Sequence, residues 1–200
     1  NLLDNDKLLM YNLKKFSIKF FKILKQIKKS DGPVFIYSNF KEYGGLKSFV
    51  KVLEYHNFKN YKDFGEGTKR FAIWTGDEKH EMKEEIKEVY NQIDNADGSK
   101  LHIILGSPAI KEGVSLLRVS EVHILEPYWN WSRLDQVIGR AVRFCSHKDL
   151  PKKDRFVDIY LYIADHPKEE MTIDKYILNT AIVCNDGRLI TVMRINKRIR

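Results

Sequence analysis

Cysteine is scarce in this chain: there are two in 200 residues, Cys145 and Cys184, and neither sits in a His/Cys spacing that would hold zinc. A disulfide-built scaffold is therefore excluded, and the pattern suits reduced thiols in a cytosol-like, cytoplasmic compartment. Long hydrophobic runs are also missing; none approaches the roughly 18 residues that a membrane-spanning helix needs. The chain carries no GxxxxGK[ST] and no GxGxxG after a strand, so it has no sequence for a backbone cradle around nucleotide phosphates. It opens NLLDNDKLLM, with neither an initiator methionine nor a signal peptide, and is expected to be a piece of a longer protein.

What is present is an ordinary apolar share of 43%, enough for a core without staples, and an excess of positive charge. With 35 Lys and Arg against 27 Asp and Glu, the net charge is +8. An anionic partner follows, nucleic acid first and an anionic membrane surface second.

Along the chain, apolar residues at helical spacing (Phe16, Phe20, Ile23, Leu24, Ile27) predict one basic amphipathic helix over 4–29, packed on the domain with its lysines outward. Ser-Asp-Gly-Pro at 30–33 then punctuates the chain. Short apolar strands follow at VFIY (34–37), RFAIW (70–74), LHIIL (101–105), EVHIL (121–125) and FVDIYLYI (156–163), with helices at 46–55 and 78–93 between them. Strands apolar on both sides and spaced by helices predict a mainly parallel, doubly wound α/β sheet. EEMTIDKYILNTA (169–181) reads as a further helix and VCNDGRLI (183–190) as a turn. The expected organisation is a helical lead-in over 1–30, an α/β domain over 31–165 and an extension over 166–200.

Two stretches invite a chemical reading. WTGDEKHE (74–81) contains D-E-x-H after a strand, but with no phosphate loop upstream it reads as helix capping, with Asp77 and Glu78 in a favourable first turn. QVIGRAVR (136–143) differs. At about 100° per residue, Leu134, Val137, Ile138, Ala141 and Cys145 share the core side, while Gln136, Arg140 and Arg143 fall within roughly 60° of one another opposite. Gly139, worth roughly 1 kcal/mol less than alanine in a helix, borders that polar face. A solvated face with a tolerated glycine is one reading. The other is an anion site, since planar five-donor guanidiniums match phosphate.

QVIGRAVR resembles the QxxGRxxR signature, the sixth motif of superfamily two helicases. VFIYSNF (34–40) is similar to the fourth motif, WTG (74–76) to the strand and turn after it, and GSPAIKEGVSL (106–116) to the fifth. EVHILEPYWN (121–130) resembles the segment joining the fifth to the sixth. The runs SIKFFKILKQIKKSDGPVFIYSNFKEYGG and WNWSRLDQVIGRAVRFCSHKDLP resemble the transcription-associated helicases of poxviruses, asfarviruses and mimiviruses, with Ser146-His147 a mark of that group. The resemblance covers about residues 16–165.

That resemblance implies a RecA-like three-layer domain, the second lobe of an ATPase whose first lobe carries the phosphate loop and holds most of ATP and Mg2+. It implies Arg143 as arginine finger, Arg140 as its companion, and Gln136 positioning them or water. Gly113, Ser115 and Gly139 would lie near the nucleotide, although Ser115 stands where many relatives have aspartate. Ser38, Asn39, Lys41, Ser107 and Lys111 would meet a DNA or RNA backbone. Turn chemistry for Ser38 and Asn39, solvation for Lys111, and packing for Trp129 and Trp131 are the plainer alternatives. His147 would cap a helix end or touch a partner. The implied partners are nucleic acid, the chain's own N-terminal lobe and viral transcription machinery, with no membrane, in a viral factory or virion. A docking module without catalysis, and a basic protein on an anionic membrane, remain as other classes.

Overall fold

Val34–Tyr37 (β1) lies at the centre of the chain's sheet, and its alternating side chains set the two faces. Phe35 and Tyr37 join one core cluster, Val34 and Ile36 the other. A computed structural model describes residues 6–42, 44–110, 114–165, 171–183 and 195–198. Its elements are α1 (Asp6–Phe16), α2 (Ile18–Ile27), β1, α3 (Leu46–Tyr55), β2 (Lys59–Asn60), α4 (Tyr61–Phe64) and β3 (Arg70–Trp74). There follow α5 (His80–Tyr90), β4 (Ile103–Gly106), β5 (Glu121–Ile124), α6 (Trp131–Ala141), β6 (Phe156–Leu161), α7 (Ile173–Val183) and β7 (Ile195–Arg198).

The sheet order is β2-β3-β4-β1-β5-β6-β7. The first six strands are parallel, and β7 pairs antiparallel with β6. Helices α5 and α6 bury Ile86, Val89, Tyr90, Leu134, Val137, Ile138 and Ala141 on one face; α2 and α3 bury Ile23, Leu24, Ile27, Leu46, Phe49 and Leu53 on the other. This is the three-layer α/β domain that the apolar strands predict, because a sheet covered on both faces has no side for polar alternation.

The single helix predicted over 4–29 is two. Ser17 leaves helical geometry (φ −151°, ψ 101°), and its hydroxyl accepts from Phe20 N at 3.3 Å, which starts α2 as an N-cap. Phe16, on the predicted apolar stripe, is 87% exposed, while Ile23, Leu24 and Ile27 are fully buried. Helix α5 likewise begins later than expected, at His80. Asp77 and Glu78 precede it. The Glu78 carboxylate accepts from Thr75 N at 2.6 Å and Thr75 Oγ1 at 2.7 Å, so it ties the turn rather than lying in the helix.

Between α5 and β4, Asn95 is fully buried and holds four backbone groups. Its Nδ2 donates to Tyr90 O and Leu101 O, each at 3.0 Å, and its Oδ1 accepts from Lys100 N and Leu101 N, each at 2.9 Å. Helix α7 overlaps the predicted 169–181 helix, starting at Ile173 and running on to Val183, and is tied to α2 by the Lys19–Asp174 ion pair. Asp174 also accepts from Ala164 N at 2.6 Å. The turn expected over 183–190 lies, from 184 on, outside the described residues.

Candidate phosphate-facing cleft

Strands β1, β4 and β5 end level with one another, since Tyr37 is in register with Gly106 on one side and Ile124 on the other. The segments that follow these ends, together with α6, enclose a cleft of about 420 Å³. It is lined by Tyr37, Pro108, Ile110, Arg133, Gln136 and Arg140, with Asn130, Ser132 and Val137 completing it, and among the described residues no carboxylate lines it. Gln136 and Arg140, four residues apart on α6, both face this space, as the helical arithmetic predicts. Neither side chain has a hydrogen-bond or ion-pair partner among the described residues. An unpaired guanidinium on a carboxylate-free wall attracts anions.

Arg143 departs from that face. The helix ends at Ala141, and its C-cap Val142 (φ −112°, ψ 76°) turns the chain away. Arg143 folds back instead. Its Nε donates to Gly139 O at 3.0 Å and its Nη1 to Ser115 Oγ at 2.5 Å. The first contact satisfies one of the carbonyls that a helix end leaves open and sets a cation at the negative end of the helix dipole. Ser115 is thus this arginine's partner.

The turn after α6 is fastened by the Ser-His pair. Ser146 Oγ accepts from Arg143 N at 3.3 Å and contacts His147 Nδ1 at 2.8 Å, while His147 Nε2 meets Val119 O at 2.8 Å. Burial lowers the His147 pKa, which keeps a neutral ring with one donor and one acceptor, matching these two contacts. His147 is thus buried inside the lobe, in place of the helix cap or partner contact expected of it.

The residues expected on a nucleic-acid track sit at the same strand ends, several of them already committed. Ser38 is buried, and its hydroxyl donates to Glu126 Oε1 at 2.6 Å; Asn39 N donates to Glu126 Oε2 at 3.1 Å. Lys41 is ion-paired with Asp77. Ser107 Oγ accepts from Ala109 N at 3.2 Å in the turn after β4. Lys111 and Gly113 lie outside the described residues. Trp131 packs against the core, whereas Trp129 is 58% exposed, leaning on Tyr128 with ring centroids 5.4 Å apart.

Sequence reasoning missed Glu126, whose burial raises its pKa, and Arg133. Glu126 acts through residues 87 and 88 positions away, a distance at which no local pattern speaks. Arg133 was open to view: it stands three residues before Gln136, on the same helical stripe. Among the described residues no group of three or more His, Cys, Asp or Glu side chains could hold a metal ion, and no helix is long and apolar enough to cross a membrane.

Gly139 has open space where a Cβ would stand, with no atom within 4 Å. Gly139→Ala is therefore expected to stabilise the lobe by about 1 kcal/mol, the ordinary helix preference, read as a rise in denaturation midpoint.

Residues 18–145 match the family described as helicase conserved C-terminal domain. The chain is 55% identical over 175 residues to a protein of Acanthamoeba polyphaga mimivirus named as an ATP-dependent RNA helicase, covering 88% of this chain and 30% of that protein. It is 35% identical over 176 residues to an African swine fever virus protein named as a termination factor NPH-I homolog, covering 71% of this chain and 25% of the relative. The chain thus spans less than a third of these relatives. Its fold is similar to the crystal structure of the C-terminal part of the Fun30 ATPase domain, with a TM-score of 0.56 at 18% identity, over 82% of this chain and 45% of that one.

Proposed function

The chain belongs to the helicase conserved C-terminal domain family, and from that premise we propose that it is the second lobe of an ATP-dependent nucleic-acid helicase or translocase working in viral transcription or genome handling. One observation carries the reading: Arg140 and Gln136 stand without partners on a cleft wall that has no carboxylate among the described residues. In this proposal the first lobe, upstream of this chain, holds ATP with Mg2+, and the cleft closes against it. Arg140 meets charge developing on the terminal phosphoryl group. Arg143 joins it on closure, exchanging Ser115 for phosphate, and Gln136 orients a water or the arginines. Gly113, Ser115 and Gly139 border the nucleotide. Ser38, Asn39, Ser107, Lys41 and Lys111 belong to the segments that face nucleic acid, with Glu126 holding the first of those turns in shape from beneath.

A lobe that supplies arginines but no phosphate loop has nothing with which to hold ATP for reaction. The 200-residue chain alone is expected to hydrolyse no ATP above background, and the protein with its upstream lobe to hydrolyse ATP faster when nucleic acid is added. Steady-state phosphate release, with and without DNA or RNA, reads both. Hydrolysis by the isolated lobe, or none in the joined protein, would sink the proposal.

A further inference from the structure

Helix α6 offers the cleft a second guanidinium, and it is not the one in the family signature. Arg133 lines the same wall as Arg140, two turns earlier. Its Nη1 donates to Tyr128 Oη at 2.8 Å, and its guanidinium carbon lies 4.5 Å from the Tyr128 ring centroid. Tyr37, which lines the same cleft, donates its own hydroxyl to Asn39 Oδ1 at 3.1 Å. The Tyr128 hydroxyl and ring therefore hold the Arg133 side chain in place, and among the described residues no carboxylate lines the cleft to neutralise it. A cation fixed by a hydroxyl and a ring face has already lost much of its rotamer freedom, so an incoming anion need not order it.

Arg133 and Arg140 are separated by a rise of about 10 Å along the helix, at 1.5 Å per residue. A separation of that order is too long for one isolated phosphate and is spanned by a run of linked ones. We propose that Arg133 and Arg140 form a two-arginine site for a run of linked phosphates, with Arg133 as the member anchored in advance. The site rests on the reading of α6 as phosphate-facing and adds to it a contact residue outside the QxxGRxxR signature. The same chemistry is presented by the polyphosphate of a nucleotide and by the backbone of a nucleic-acid strand.

The test uses the 200-residue chain with Arg133→Gln, Arg140→Gln and Tyr128→Phe, each checked for an unchanged unfolding midpoint. Two probes separate the sources: tripolyphosphate by titration calorimetry, and a single-stranded oligothymidylate by anisotropy across a salt series. If the site takes a nucleotide's phosphates, each arginine variant weakens tripolyphosphate about tenfold, the order expected for one charge-assisted hydrogen-bonded contact. If it takes a strand backbone, oligothymidylate weakens instead, and the slope of log affinity against log salt falls by about one per arginine. Either result supports the site. Tyr128→Phe, which removes only the anchoring hydroxyl, weakens the same probe about threefold and covers the case of an unfolded Arg133→Gln. Wild-type affinities and salt slopes in Arg133→Gln, with a loss in Arg140→Gln, overturn the two-arginine site alone. Wild-type behaviour in both variants, or no binding of either probe by the unmodified chain at millimolar concentration, removes the phosphate-facing reading of α6 as well.

Discussion

Arg140→Ala, made in the protein with its first lobe attached, is expected to lower ATP turnover by about 10³–10⁵-fold while ATP affinity holds within a few fold. The asymmetry follows from position. The Arg140 side chain has no partner among the described residues, so its loss disturbs nothing inside the lobe. In the proposed mechanism the first lobe supplies most of the hold on ATP, and the Arg140 charge counts most where phosphoryl transfer builds negative charge. Arg143→Ala is expected to abolish turnover too, with an added loss of about 1 kcal/mol in stability. It removes the bonds to Gly139 O and Ser115 Oγ that close the end of α6. Single-turnover rates beside equilibrium ATP binding separate the two effects. A turnover within about tenfold of wild type in Arg140→Ala would defeat the assignment of α6 to catalysis.

The largest expected loss of stability lies far from the cleft. Asn95→Ala strands two backbone carbonyls and two backbone N–H groups around a fully buried side-chain position. Each unsatisfied buried group costs about 1–3 kcal/mol, and partial relaxation brings the expected total to about 4 kcal/mol. Asn95→Asp keeps the shape but turns both donors into acceptors facing Tyr90 O and Leu101 O, so it is expected to be no better tolerated. Urea denaturation of the lobe measures both. A shift of less than about 1 kcal/mol for the alanine variant means that water replaces the side chain.

Much of this architecture was legible because its signals are local. VFIY and RFAIW coincide with β1 and β3, since strands covered on both faces read as uninterrupted apolar runs. Gln136 and Arg140 were paired correctly because i and i+4 share a helix face whatever surrounds them. The failures have one physical form: periodicity carries no stop signal. The apolar stripe running through Phe16 hid the cap at Ser17, and the helical wheel carried Arg143 past the point where Val142 ends α6. Glu126 and Asn95 were invisible for another reason. Asn95 serves backbone groups five and six residues off, and Glu126 a turn on another strand, so their roles exist only once the chain has folded.

The strand order has a further consequence. From β1 the chain departs through α3 toward β2, while from its neighbour β5 it departs through α6 toward β6, on opposite faces of the sheet. Two neighbouring strands whose outgoing connections diverge leave a topological switch point, and a crevice opens at their carboxyl ends whatever side chains line it. The groove is a property of connectivity and its charge a property of α6. Replacing Arg133 or Arg140 thus changes what the crevice attracts without closing it, and the same wiring leaves the lobe free to exchange one chemistry for another.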